Sequence, residues 1–158
     1  MRTVHIGRQR DGRIDLDADV NTYLSAFKIA DTFPGKPVTM RHLLTHTAGF
    51  DSATFDIAVT DPADAPALER VVADAQPERL RKPGKLAAYD NYGVTLAGYL
   101  VQVVSGEPFA DYVAKNVFTP LGMSGSSFRQ PHGLDLVMAK GYRPDGDGYT
   151  PSRGQYGG

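Results

Sequence analysis

The segment that most limits what this chain can fold into is NYGVTLAGYLVQVVS, residues 91–105. In a helix with this sequence, Tyr92, Val94, Leu96, Leu100, Val101, Val103 and Val104 cover most of the circumference, leaving Thr95, Gln102 and Ser105 close to one polar stripe. A helix that is apolar nearly all round must be buried, so the remaining chain has to supply neighbours on several sides. The run is too short to span a bilayer and is interrupted by Thr95, Gly98 and Gln102.

The flanking sequence divides into short elements. Residues 12–24 read as a turn with alternating Ile14 and Leu16, then a short helical stretch with Val20, Tyr23 and Leu24 on one side. Pro34, Gly35 and Pro37 enforce a loop. Thr39 is placed as the N-cap of a helix over Met40–Thr47, with Gly49 as its stop. A helix is expected over Pro66–Ala75, with Leu68, Val71, Val72 and Ala75 on one face. Gly106 ends the long helix, and Pro108 opens another carrying Phe109, Tyr112, Val113, Val117 and Phe118. Near the C-terminus, Leu136–Tyr142 and Tyr149 flank Pro144–Gly148 as a hairpin around a tight turn. These few elements look insufficient to cover the 91–105 helix, which predicts self-association of the isolated chain.

The chain has 158 residues, a formal charge of −1 and no cysteine. The charge argues against a nucleic-acid partner, and the missing thiols exclude disulfides and thiolate metal sites. MRTVHIGRQR has no apolar core, so no signal peptide is expected in the sequence as written; the compartment is left open.

Four groupings could carry chemistry. His42 and His46 are spaced i, i+4, but Leu43 stands where a zinc hydrolase needs Glu and no third ligand has motif spacing, so no metal is assigned. The alternative makes both ordinary helix residues, His46 near a C-terminus where a cation suits the dipole. Asp15, Asp17 and Asp19 begin like a calcium loop but lack its glycine and its twelfth-position glutamate. Ser25-Ala26-Phe27-Lys28 is a Ser-x-x-Lys tetrapeptide, the pattern of a serine nucleophile one helical turn from its lysine. Yet Thr32-Phe33-Pro34 follows at once, with no long apolar helix to hold the pair, so it reads as a decoy. Tyr89-Asp90-Asn91 stands at the mouth of the long helix. It reads either as a Tyr–Asn pair facing a cleft, or as an Asp90 N-cap with Tyr89 and Val94 forming a hydrophobic staple.

Taken together and in order, Gly12-Arg13-Ile14-Asp15-Leu16-Asp17, Thr39–Gly49 (TMRHLLTHTAG), Tyr89-Asp90-Asn91-Tyr92-Gly93, Val104–Phe109 (VSGEPF) and Pro120-Leu121-Gly122-Met123 resemble the serine β-lactamase-related family. That family comprises class C β-lactamases, D-alanyl-D-alanine carboxypeptidases of the penicillin-binding-protein type, and related esterases. The resemblance covers residues 11–158 of one partial domain spanning 1–158, with 1–10 unassigned. It implies an α+β fold, of which this chain is the mostly helical portion of a transpeptidase-like domain with a short C-terminal β-hairpin. It also implies an acyl-enzyme mechanism without a cofactor, acting on a small-molecule acyl substrate: a β-lactam, a D-Ala-D-Ala peptide or an ester. Tyr89 is the implied catalytic phenol and Asn91 the implied substrate-binding amide. The family's nucleophilic Ser-x-x-Lys should precede Gly12, where Met1–Arg10 holds no serine, and its Lys-Thr-Gly-like strand should follow Gly158. No nucleophile is therefore assigned, since Ser25 and Lys28 lie downstream of where the motif belongs. The chain is expected to be the middle of a catalytic domain, inactive alone, or alternatively a non-catalytic binding or regulatory module retaining part of the cleft.

Overall fold

A computed structural model describes residues 13–51, 64–129 and 142–151. A single 3-10 turn, Val20–Thr22, comes first. Among the described residues four helices follow: α1 (Met40–Leu44), α2 (Leu68–Asp74), α3 (Asn91–Ser105) and α4 (Phe109–Val113). A wider π turn, Ala114–Phe118, continues α4. An antiparallel hairpin of β1 (Tyr142–Asp145) and β2 (Gly148–Pro151) closes the described chain, pairing Tyr142 with Pro151 and Asp145 with Gly148.

Helix α3 is the hub, packed against α1, α2 and α4. Tyr92, Leu96 and Leu100 are fully buried and form one core with Val20, Met40, Leu43 and Val72. Val101 turns to a second cluster with Tyr112 and Val113, flanked by Phe109, Val117 and Phe118. Residues Tyr92, Gly93 and Leu96–Val101 are all buried. The chain thus covers this helix itself, contrary to the sequence expectation. Short elements suffice because they approach from different sides and because residues 14–38, irregular apart from one turn, add Ile14, Leu24, Ile29 and Val38 to the core. Burial at this level makes truncation of Leu96 or Leu100 to Ala worth about 2–5 kcal/mol.

Polar groups on α3 also contribute to the fold. Tyr92 donates its hydroxyl to the Val72 carbonyl at 3.0 Å, and Tyr99 donates to Glu69 at 2.6 Å, so both tyrosines tie α2 down. Gln102, from the polar stripe, accepts the Phe109 amide at 3.1 Å, satisfying one orphan donor of α4.

Thr39 caps α1 as expected: its hydroxyl accepts the His42 amide while His42 Nδ1 accepts the Thr39 amide. The helix ends at Leu44, however, not Thr47, because His46 takes a left-handed conformation at φ 56°. Gly49 lies beyond the helix, in the segment that follows. Helix α2 begins at Leu68, two residues after Pro66. Gly106 does close α3, at φ 71°. In the hairpin, Pro144, Asp145 and Gly148 belong to the strands, and only Gly146 and Asp147 turn. Residues 136–141 lie outside the described chain.

Candidate active site

The Tyr-Asp-Asn segment is placed by a non-local backbone pairing. After α1, residues 46–51 run antiparallel to residues 78–90, with the Asp51 amide donating to the Glu78 carbonyl at 2.8 Å and the Leu80 amide to the Gly49 carbonyl at 2.9 Å. The Gly84 amide donates to the Thr47 carbonyl at 2.8 Å, and the Ala88 amide to the His46 carbonyl at 2.9 Å. Arg79 secures the outer side: its guanidinium is buried and donates to the Ala30 carbonyl at 2.8 Å. This pairing delivers Tyr89 to the N-terminus of α3.

There the Tyr89 hydroxyl donates to Asn91 Oδ1 at 2.7 Å. The Tyr89 side is open, with the residue 74% exposed, so the ring is no staple against Val94. It rests instead beside the His46 imidazole, ring centroids 4.9 Å apart. Since the phenol spends its proton on Asn91, its oxygen lone pairs face outward as acceptors. The Asn91 amide nitrogen makes no hydrogen bond among the described residues and is available as a donor. One phenol and one amide, both at a helix N-terminus and both exposed, can polarise or hold a carbonyl-bearing solute.

Asp90, between them, points inward. It occupies the N-cap position of α3 but makes no side-chain cap, and neither carboxylate oxygen has a hydrogen bond of good geometry. Burial raises its pKa above the ordinary carboxylate value, and the Gly93 and Tyr92 amides draw it back only in part. A Cβ on Gly93 would meet Asp90 Oδ2 at 2.6 Å, so the glycine makes room for this carboxyl.

The two histidines are not a metal pair. Each Nδ1 is taken by a backbone amide, His42 by Thr39 and His46 by Asp90 at 3.2 Å. Among the described residues no cluster of His, Asp or Glu could hold a metal ion. His46 itself lies past the end of α1, with its Nδ1 accepting the Asp90 amide. The acids of the calcium-like run are used locally: Asp17 pairs with Arg41 at 2.7 Å, Asp15 accepts the Asp17 amide and Asp19 the Asn21 amide. Ser25 and Lys28 lie in irregular chain, and the Lys28 ammonium donates to the Asn21 and Leu24 carbonyls.

Sequence reasoning passed over His46 and Gly49 as parts of the site. The run His46-Thr47-Ala48-Gly49 gave no separate signal for them, since it reads equally as the end of a helix to Thr47 followed by its glycine stop.

The family model described as Beta-lactamase matches residues 6–158. Protein flp of Staphylococcus aureus strain N315 is 28% identical over 93% of this chain and 30% of its own length. The octameric penicillin-binding protein homologue of Pyrococcus abyssi is 30% identical, with a TM-score of 0.80 over 98% of this chain and 37% of that one. A D-stereospecific amidohydrolase of Streptomyces is 29% identical, with a TM-score of 0.68 over 89% of this chain and 45% of that one. The chain thus spans about a third of the curated relatives it matches. Its helices and hairpin are part of the α+β fold of these proteins, and by sequence and fold alike the chain belongs to the Beta-lactamase family.

Proposed function

We propose that this chain supplies the Tyr–Asn side of a serine acyl-hydrolase site, with Tyr89 relaying a proton during acylation and Asn91 holding the acyl substrate. The observation that carries this reading is the 2.7 Å hydrogen bond from the Tyr89 hydroxyl to Asn91 at the exposed mouth of α3. In such a reaction a serine oxygen adds to the acyl carbonyl, its proton passes by way of the phenol to the departing amine or alcohol, and water later releases the acyl group. The substrate class is a β-lactam, a D-Ala-D-Ala peptide or a related amide or ester. This agrees with the penicillin-binding and D-amide-hydrolysing descriptions of the relatives.

The chain alone is proposed to be inactive, because the one Ser-x-x-Lys in its sequence, Ser25 to Lys28, lies in irregular chain and not at the head of a buried helix. Incubation of the 158-residue chain with a chromogenic β-lactam and a p-nitrophenyl ester is expected to give no turnover above background. Turnover abolished by Ser25→Ala would overturn that and make Ser25 the nucleophile. In a complete domain carrying this segment, Tyr89→Phe is expected to slow acylation about 10²–10⁴-fold at an unchanged melting temperature. An undiminished rate would remove the phenol from the mechanism. Self-association is also proposed, through exposed side chains such as Leu121, Phe128 and Tyr149. Sizing chromatography decides it, a sharp monomer peak counting against.

A further inference from the structure

We infer that His46 is the positioning residue for Tyr89, fixing the phenol from three directions at once; this rests on the reading of Tyr89 given above. The His46 carbonyl accepts the Ala88 amide at 2.9 Å, and its Nδ1 accepts the Asp90 amide at 3.2 Å. The residues on either side of Tyr89 are thereby bonded to one and the same histidine. The third hold is the imidazole itself, 4.9 Å from the Tyr89 ring and inclined at 39°. Tyr89 is otherwise 74% exposed, so its own burial contributes little to fixing it.

The backbone of His46 supports this assignment. It adopts φ 56°, the one left-handed non-glycine residue among those described. A side chain disfavours that conformation, and glycine would adopt it freely. Glycine there would keep the carbonyl bond to Ala88 but lose both Nδ1 and the ring. The two side-chain contacts are what a histidine adds at this position, and both act on the Tyr89 segment. Nδ1 must carry a lone pair to accept the Asp90 amide, which leaves the proton of the neutral ring on Nε2.

The test uses His46→Gly and His46→Asn in the 158-residue chain. Glycine relieves the left-handed backbone and removes the side chain. Asparagine tolerates the same backbone and places Oδ1 where Nδ1 stood, without the ring. Tyr89 ring resonances, assigned with Tyr89→Phe, are expected to move to free-tyrosine positions in both variants. The Asp90 amide is expected to exchange about tenfold faster in His46→Gly and to recover protection in His46→Asn, while the Ala88 amide is unchanged in both. Unmoved Tyr89 resonances, or equal Asp90 protection in all three proteins, would overturn the assignment. If His46→Gly does not fold, the ring shift in His46→Asn decides alone. In a complete domain, either variant is expected to lower kcat more than it raises KM. The resonance and exchange readings judge His46 whether or not the phenol relays a proton, and Tyr89→Phe judges the phenol, so the two failures are distinguishable.

Discussion

Gly49 and Arg81 approach so closely that a Cβ on Gly49 would lie 2.0 Å from the Arg81 carbonyl oxygen. The contact is between backbones, so no side chain can rotate away to admit a methyl group. Gly49 also has φ 85° and accepts the Leu80 amide. Conformation and contact therefore both demand glycine at this position of the pairing that carries Tyr89.

Gly49→Ala is accordingly expected to destabilise the chain by more than twice as much as Gly106→Ala. Gly106 has a similar φ of 71° but open space around it, so alanine there costs only the left-handed penalty of about 1–2 kcal/mol. Urea denaturation of both variants measures the difference, which isolates the backbone contact. Equal losses would mean the 46–51 segment can move away from Arg81.

Asp90 sets a second expectation, of pH dependence. Its carboxyl has a pKa raised by burial, so the folded state holds its proton more tightly than the unfolded state does. Asp90 is therefore least unfavourable below the unfolded carboxylate pKa, and its stability cost grows as pH rises through the folded value. Asp90→Asn removes the charge at nearly unchanged side-chain volume, and no side-chain cap is lost because Asp90 makes none. Its melting temperature is expected to exceed the parent's at pH 7 and to converge on it at pH 3. A lower melting temperature at pH 7 would show that the charge is compensated in solution.

At the alkaline end Tyr99 contributes, beside the more deeply buried Tyr92, whose hydroxyl pKa burial raises further. Burial, and then its bond to Glu69, push the Tyr99 phenol up to about 12. The unfolded chain releases this proton first, near the ordinary value of about 10, so stability attributable to Tyr99 is lost between about pH 10 and 12. Tyr99→Phe is expected to flatten that part of the profile. At neutral pH it should cost about 0.5–1.5 kcal/mol for the hydrogen bond to Glu69. Parallel alkaline melts of the two proteins check both statements; an identical alkaline slope would remove Tyr99 as a titrating group.

What the sequence made legible was local. The Thr39 cap, the α3 helix, its Gly106 terminus and the C-terminal hairpin all follow from residues within a few positions of one another. The conjunction of Tyr89 with Asn91 at a helix mouth was legible for the same reason. Their support was not. His46 meets Asp90 across 44 positions, a pairing that neither helical periodicity nor turn chemistry encodes. The shortened α1 has the same origin, since the helix yields at His46 to bonds made with the 88–90 segment. Asp90, read from its residue type as a cap, turned inward because Gly93 leaves it room beneath α3.

The rung between Asp51 and Glu78 has a consequence for how this part of the family can diversify. It brings together the two ends of the span 51–78, which includes α2, at the foot of the pairing. Doubling the length of such a connection costs only about 0.6 kcal/mol of closure entropy. A change of length between the two ends of that rung therefore need not disturb the rungs from Gly49 to His46, which hold the phenol in register. Register at the phenol is thus set by backbone bonds made after α1 and not by the length of chain that separates the two paired segments.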